Sequence, residues 1–306
     1  MRKSLVVAIG AAIVVIAILV GLQATTQTSK EPSRQETMIP QPQASKIKVI
    51  ASFYPLYEFT KNVARDKADV SVFTPVGIEP HDWEPSTQDL VVLDKSDVFV
   101  YNGMEPYVGK IIDQYPNVLF VETSQGVDLG TASDPHIWLD PVLAKDQVIM
   151  IKDSLIKVDP NNAQYYEDNA NAYSDQLNEL DNTIRTELAS CKKDTIVPFH
   201  NAFSYFGSRY GIKIHALSGI IPESEPTTTD LKNLIDYVKQ NQIKVIFAEE
   251  LVDPKLAQTL ADEVGVQIMI LSPLEGLSKD ELSSGKSYLD KMYDNLNNIK
   301  VALECA

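Results

Sequence analysis

The chain has 306 residues, of which 44% are hydrophobic and 23% are charged. This composition is typical of globular proteins and excludes a collagen-like, coiled-coil or wholly disordered chain. With 27 Lys and Arg against 42 Asp and Glu, the formal net charge is -15. Such a charge repels phosphate backbones, so nucleic acid is excluded as an expected partner. Two cysteines, Cys191 and Cys305, are too few for a disulfide framework or a Cys-rich zinc site.

The N-terminus has the pattern of a membrane segment. Arg2 and Lys3 precede the uncharged residues 4–22, which are rich in Val, Ile, Leu and Ala. As a helix this stretch spans about 28 Å, close to the hydrocarbon thickness of a bilayer. Residues 1–22 are therefore predicted to be a membrane anchor or signal segment. Because no clean small-residue cleavage triplet follows, we expect an uncleaved anchor with the remaining chain on the extracytoplasmic face; a cleaved, soluble form is the alternative. Polar residues 23–45 predict a flexible linker.

From Lys46 onward, short β-branched runs alternate with amphipathic segments. The runs predict strands, and the segments between them predict helices. Strands are predicted at Ile47–Ser52, Val70–Thr74, Val98–Tyr101 and Val118–Val121, and helices at Leu56–Ala64, Thr87–Leu93, Pro106–Gln114 and from Pro141 to about Lys157. Alternation of this kind is typical of a largely parallel sheet.

Residues 161–191 contain neither Pro nor Gly, and their large apolar side chains recur every three, four or seven positions. This spacing predicts one helix of more than about 40 Å. The alternation then resumes, with strands predicted at Thr195–Phe199, Ile212–Leu217, Val245–Ala248 and Gln267–Leu271, and helices at Leu231–Lys239, Pro254–Glu263 and Ser284–Leu303. The predicted fold is α/β: two doubly wound lobes, residues 46–160 and 192–306, joined by one long rigid helix, 161–191.

Three of the four histidines follow predicted strands: His81, His136 and His200. His81 and His136 each follow a proline, have carboxylates beside them and precede a tryptophan by two residues. Since open α/β sheets bind ligands beyond the carboxyl ends of their strands, we expect the three imidazoles to meet in a cleft between the lobes. Three neutral imidazoles suit a borderline metal ion, with Zn²⁺ as the first choice. His215 lacks this setting and is predicted to be structural.

Neighbouring carboxylates complete the hypothesis. Asp82, Glu84 and Asp140 are candidates to accept the second ring N–H of a ligand histidine.

Three histidines with an open fourth position are also how catalytic zinc is held, so an extracellular zinc-dependent hydrolase is the alternative from another class. The sequence has no HExxH helix, nucleophile elbow or Gly-rich phosphate loop, which favours binding over catalysis. A purely adhesive or structural protein would bind no metal.

Four motifs carry a family resemblance: residues 77–86 (GIEPHDWEPS), 134–141 (DPHIWLDP), 198–207 (PFHNAFSYFG) and 222–226 (PESEP). From Lys46 to the C-terminus the sequence resembles the zinc- and manganese-binding solute-binding proteins of ABC importers, the ZnuA/TroA-like cluster A-I. The resemblance implies two α/β lobes joined by a long helix, one divalent metal ion between them, and delivery to an ABC permease. It further implies a monomer and no enzymatic activity.

The resemblance also implies particular ligands. His81, His136 and His200 match the three histidine ligands of the zinc-type members, whereas manganese-type members often have a carboxylate at the His200 position. This favours Zn²⁺ over Mn²⁺. The family's usual fourth ligand is an aspartate, where this chain has Ser272. Because serine is a poor zinc ligand, we expect water there, with carboxylates as the alternatives: Glu79, Glu223, Glu249 and Glu250.

The two cysteines lie at comparable positions in the second lobe. Cys191 ends the predicted long helix, and Cys305 ends the last predicted helix. Both lie outside the cell if the anchor prediction holds, where disulfides persist. We therefore expect a bond between them, with a stabilisation of about 2–4 kcal/mol.

Overall fold

The computed structural model describes residues 46–103, 105–127, 134–219, 227–251 and 255–306. The predicted anchor, the predicted linker and Glu223 lie outside the described residues. In the part that is described, no helix has the length and apolar character needed to cross a membrane.

The first lobe contains a four-stranded parallel sheet with the strand order β2-β1-β3-β4. The inner strand β3 is buried throughout. Val98 and Val100 face one apolar cluster, and Phe99 and Tyr101 face another. In chain order the elements are β1 (Ile47–Ala51), α1 (Tyr54–Ala64), β2 (Ala68–Val72), α2 (Thr87–Leu93), β3 (Val98–Tyr101), α3 (Val108–Ile111), β4 (Leu119–Glu122) and α4 (Pro141–Val158). The predicted alternation is confirmed.

The long helix α5 (Ala163–Leu188) lies between the two lobes. Its 26 residues extend over about 39 Å. A 3₁₀ turn, Pro160–Asn162, precedes it. Its buried face follows the predicted spacing: Tyr166, Tyr173, Leu177, Leu180 and Ile184. The single long helix of the predicted fold is therefore confirmed.

The second lobe repeats the strand order of the first. β5 pairs with β6 and β7 pairs with β8, both in parallel. The backbone N–H of Phe247 donates to the carbonyl of Val197 at 2.8 Å, so the order across the lobe is β6-β5-β7-β8. The elements are β5 (Thr195–Ile196), α6 (Ser204–Tyr210), β6 (Lys213–Ile214), α7 (Thr228–Gln240), β7 (Val245–Ala248), α8 (Lys255–Val264), β8 (Gln267–Ile270), α9 (Lys279–Ser284) and α10 (Tyr288–Ala302).

Four details of the second lobe differ from the prediction. β6 is Lys213–Ile214, shorter than the predicted strand Ile212–Leu217. β5 ends earlier than expected, before Pro198, which has no N–H to donate to a ladder. The seven-residue helix α6 was not predicted, because two turns are too few to show a period. The single helix predicted at Ser284–Leu303 is two helices. α9 ends at Gly285 with φ 71°, and Ser287 caps the start of α10.

The two lobes share one apolar core. Its largest cluster combines strand residues of both sheets with the buried faces of α5 and α10. Its members include Val49, Phe59, Leu177, Ile196, Phe247 and Tyr288. The rings of Phe59 and Tyr288 are 4.9 Å apart, so the C-terminal helix packs directly against the first lobe. At the far end of α5 the structure joins Cys191 and Cys305 in a disulfide.

Candidate metal centre

Four side chains converge between the lobes: His81, His136, His200 and Glu275. The carboxylate oxygen Oε1 of Glu275 lies 2.9 Å from His81 Nε2, 3.0 Å from His136 Nε2 and 3.6 Å from His200 Nε2. The Nε2 atoms of His136 and His200 are 3.3 Å apart. His136 and His200 are fully buried and Glu275 is 2% exposed. The structure thus brings the three predicted histidines together and adds a glutamate.

The separations between these donor atoms fit a tetrahedral zinc ion. Four ligands at 2.0–2.1 Å from zinc are about 3.3 Å from one another. Four of the six pairwise separations range from 2.9 to 3.6 Å, and all of the donor atoms lie within 4.8 Å of one another. The other oxygen of Glu275, Oε2, is buried and makes no hydrogen bond within the described residues. The residues present therefore suit a bound cation in size, charge and chemistry.

Each lobe supplies two of the four donors, and all four follow strands. His81 comes after β2 and His136 after β4, directly before a 3₁₀ turn at Ile137–Leu139. His200 comes after β5 and Glu275 after β8. The carboxyl ends of parallel strands meet at one edge of each sheet. The cleft between the lobes is therefore where the predicted fold places a ligand.

Two further carboxylates orient the buried histidines. Asp134 Oδ1 lies 2.7 Å from His136 Nδ1 and also accepts the His136 backbone N–H. Glu249 Oε1 lies 2.7 Å from His200 Nδ1 and accepts the His200 backbone N–H at 3.2 Å. Because these contacts assign the proton to Nδ1, they leave each Nε2 free to bind metal.

The structure gives the three candidate carboxylates other positions and partners. Asp82 is exposed. Glu84 pairs instead with Lys110 at 2.9 Å. Asp140 caps the first turn of α4 by accepting the Val142 N–H and forms an ion pair with Arg209. Of the two orienting groups, Asp134 lies close to its histidine in sequence, whereas Glu249 lies 49 residues from His200.

The residues predicted for the fourth ligand position have other contacts in the structure. Ser272 Oγ donates to Glu250 and accepts the Leu274 N–H, so protein groups use both of its hydrogen-bonding functions. Glu250 forms an ion pair with Lys291 at 2.6 Å. Glu249 orients His200, as described above. Glu79 lines a small cavity beside Glu249 and Glu275 but is not in the group of four. The fourth member of the group is Glu275, which was not among the predicted residues.

The loop before Glu275 has an unusual backbone. Leu274 is fully buried and has φ 58°, in the left-handed region that non-glycine residues seldom adopt. Such a conformation costs about 1–3 kcal/mol and persists where surrounding contacts impose it. It directs the next side chain, Glu275, toward the histidines. The bend has no signal in the segment LSPLEG, whereas Glu275 is the single carboxylate of that segment and lies three residues after Ser272.

The predicted structural role of His215 agrees with its position. Its ring stacks on Tyr237 with centroids 3.6 Å apart, in the second lobe and outside the group of four. Burial lowers the pKa of His215. Substitution of His215 therefore leaves the four donor residues in place, which makes it a control position.

The imidazoles and carboxylates of the centre shift one another's pKa values. Burial acts to raise the pKa of Glu275, but hydrogen bonds from His136, His200 and His81 outweigh it and hold that pKa well below its ordinary value. Burial acts to lower the pKa of His200, yet Glu249 and Glu275 raise it to about 10. His136 has its pKa raised by Asp134 and Glu275 against the same opposing effect of burial. Protons thus supply the positive charge that the carboxylates require.

Two α/β lobes joined by one long helix, with a His₃Glu centre between them, define the class of metal-binding solute-binding proteins. Residues 49–302 match the family described as zinc-uptake complex component A, periplasmic. The chain belongs to this family, ZnuA.

Similar proteins agree with this assignment. The high-affinity zinc uptake system protein ZnuA of Bacillus subtilis is 38% identical over 281 residues, covering 84% of this chain and 88% of that protein. The zinc-binding lipoprotein AdcA of Streptococcus pneumoniae is 37% identical over 83% of this chain, which spans only 55% of that longer protein. The crystal structure of the Zn(II)-bound ZnuA-like domain of the same species' AdcA has a TM-score of 0.78 at 37% identity, covering 85% of this chain and all of that domain.

Proposed function

We propose that this protein is an extracytoplasmic receptor that binds one Zn²⁺ in the cleft and delivers it to an ABC-type permease. The observation that carries the proposal is the set of four donor atoms at zinc-like separations, two from each lobe. The proposed ligands are His81, His136, His200 and Glu275. The zinc-uptake and zinc-binding relatives support the same ion.

The donor set favours Zn²⁺ over Mn²⁺. Manganese prefers oxygen ligands in octahedral arrangement, whereas zinc accepts imidazole nitrogens in a tetrahedron. Three of the four proposed donors are imidazoles, and their second ring nitrogens are oriented by carboxylates at His136 and His200. Carboxylate contacts of this kind increase the basicity of the ligand and therefore its affinity for zinc.

The same donor set supports a receptor over a hydrolase. A catalytic zinc keeps one position for water, which it activates. Here the carboxylate of Glu275 supplies the fourth donor, so the coordination shell is closed by protein. The proposal therefore includes the absence of turnover. Assay of the zinc-loaded protein against ester, amide and phosphoester substrates tests this part, and metal-dependent hydrolysis that is lost in His136→Ala would overturn it.

Location and organisation form a second part of the proposal. We propose anchoring of a monomer through residues 4–22, with residues 23–45 as a linker, because a basic N-terminus precedes a bilayer-length uncharged run. The boundaries 46–160, 161–191 and 192–306 are likewise proposed for the lobes and the connecting helix. Fractionation of cells expressing the full chain tests the anchor. Recovery of a shortened protein in the soluble extracytoplasmic fraction would favour cleavage.

The metal proposal is tested by titration. The purified chain, stripped with a chelator, should bind one equivalent of Zn²⁺ in competition with a chromophoric chelator. His136→Ala should weaken binding by about 100-fold or more, since loss of an outer-shell partner alone costs 10–100-fold. His215→Ala is the matched control and should leave affinity unchanged, because His215 lies outside the centre. Equal affinity of the two variants would reject the assigned site.

A further inference from the structure

Trp138 connects the ligand loops of the two lobes. It is fully buried and lies two residues after His136. Its indole Nε1 donates a 2.7 Å hydrogen bond to the carbonyl oxygen of Pro273, which lies two residues before Glu275. The bond joins residues 135 positions apart in the sequence. One side chain of the first lobe thus contacts the backbone that presents the donor of the second lobe.

The indole has little freedom to move. The ring of Phe53 packs edge-on against it at a centroid distance of 4.7 Å, and the His136 ring lies at 5.1 Å. The Trp138 carbonyl accepts a 2.6 Å hydrogen bond from the hydroxyl of Tyr288 on α10. A buried N–H that lost its acceptor would be left unsatisfied, which is energetically unfavourable. The position of the Pro273 carbonyl is therefore fixed from the first lobe.

The loop that carries Glu275 is held at its start as well. Asn295 accepts the Ser272 N–H at 2.8 Å and donates to the Ser272 carbonyl at 2.7 Å. Between Ser272 and Glu275 there are only Pro273, whose φ is restricted by its ring, and Leu274 in its left-handed conformation. A displacement of the Pro273 carbonyl is thus passed to Glu275 with few torsions able to absorb it.

We propose that Trp138 is a positioning residue for the metal centre: through the Pro273 carbonyl it holds Glu275 at coordination distance from the imidazoles of the first lobe. The inference rests on the proposed function, since it concerns how the same site retains its ion. The hydrogen bond between Trp138 and the Pro273 carbonyl thereby slows zinc release. Without that bond, the three histidines still bind zinc, but the fourth donor leaves more readily.

Trp138→Phe removes the N–H and keeps an aromatic ring. We expect one equivalent of Zn²⁺ still to bind, with release to an excess of chelator faster by about 10–100-fold, the range for partners that orient a ligand. The absorption bands of the Co²⁺-loaded variant should shift, because the fourth ligand is displaced. Trp83→Phe is the matched control: Trp83 lies two residues after His81 and packs by its ring against Phe73 and Tyr107. It should leave both readouts unchanged.

A double-mutant cycle tests whether Trp138 acts through Glu275. In a Glu275→Gln background, Trp138→Phe should change the rate of zinc release by no more than about twofold, because coupled residues are non-additive. Full additivity of the two substitutions would overturn the inference, as would unchanged release from Trp138→Phe alone. Failure of the unsubstituted protein to bind zinc would instead reject the proposed function.

A measurement without any change at Trp138 covers the case in which Trp138→Phe does not fold. The chain has two tryptophans, so Trp83→Phe leaves the Trp138 indole as the single one observed by NMR. If the hydrogen bond favours the zinc-bound arrangement, zinc must favour the hydrogen bond by the same factor. Zinc should therefore slow exchange of the Trp138 indole proton by about tenfold or more. Equal exchange rates with and without zinc would contradict the inference.

Discussion

The two lobes have the same strand order but present their donors differently. In the first lobe the donors follow the two edge strands, β2 and β4; in the second they follow the inner strand β5 and the edge strand β8. The orienting carboxylates differ as well. Asp134 lies two residues from His136, whereas Glu249 lies 49 residues from His200, at the end of β7. A shared topology thus fixes where a ligand is found, and the loops decide which residue supplies it.

The lobes also differ in how their donor loops are held. His136 directly precedes a 3₁₀ turn and the capped N-terminus of α4. Glu275 instead follows a buried left-handed leucine, and polar contacts from α10 and the first lobe fix its loop. One donor loop is therefore held by local structure and the other by tertiary contacts. The predictions below test this difference, from the largest expected effect to the smallest.

Ser272→Asp should destabilise the second lobe most. The substitution restores the residue type expected at the family's fourth ligand position, but here it places a second carboxylate against Glu250 in a site that is 1% exposed. We expect a loss of about 3 kcal/mol of unfolding free energy, as for a buried charge without its own partner. Denaturant unfolding measures this, with Ser272→Ala as the smaller-effect control. Tighter zinc binding by Ser272→Asp would show that the side chain reaches the metal.

Removal of the disulfide should affect stability and leave the metal centre unchanged. Cys191 and Cys305 are 114 residues apart and link the end of α5 to the C-terminus, and neither belongs to the group of four donors. The Cys191→Ser, Cys305→Ser double variant should lose about 2–4 kcal/mol of unfolding free energy. Thermal unfolding and a zinc competition titration on the same sample separate the two properties. A weakened zinc affinity would mean that the disulfide also affects the conformation of the ligand loops.

The orienting carboxylates should matter equally in the two lobes. Asp134→Asn and Glu249→Gln keep shape but remove the charge beside a buried imidazole. We expect each to weaken zinc binding by about 10–100-fold. The measurement is a competition titration of both variants side by side, with Asp82→Asn, at an exposed position, as control. A much larger effect of one variant would show that local and distant orientation are not equivalent.

The pH dependence should have opposite signs in the metal-free and metal-binding measurements. The folded-state pKa of His200 is raised to about 10, above its unfolded value near 6.5. Its contribution to stability is therefore fully present below about pH 6.5 and is lost as the pH rises toward 10. Zinc must displace the same protons, so its apparent affinity should rise over this range. Melting temperatures of the chelator-treated protein at pH 7 and 9, beside titrations, test both signs, and a parallel change would contradict them.

The sequence predicted most of the first lobe because its strands are continuous β-branched runs bounded by polar residues. It also located the three histidines, since each stands at the end of a strand. Glu275 and Glu249 could not be assigned from sequence, because their roles depend on a buried left-handed bend and on a contact between neighbouring strand ends. Periodicity likewise missed α6 and the break at Gly285, where the segments are shorter than the pattern needs.

The apolar core shared by the two lobes limits how far they can separate when the metal ion is released. Wide parting of the halves would pull α10 from the first lobe and expose Phe59 and Tyr288 to water, along with the apolar groups packed around them. Displacement of the single loop that ends in Glu275 leaves this apolar core intact. Release through displacement of this loop would be a local and reversible event, and the rest of the protein would remain folded.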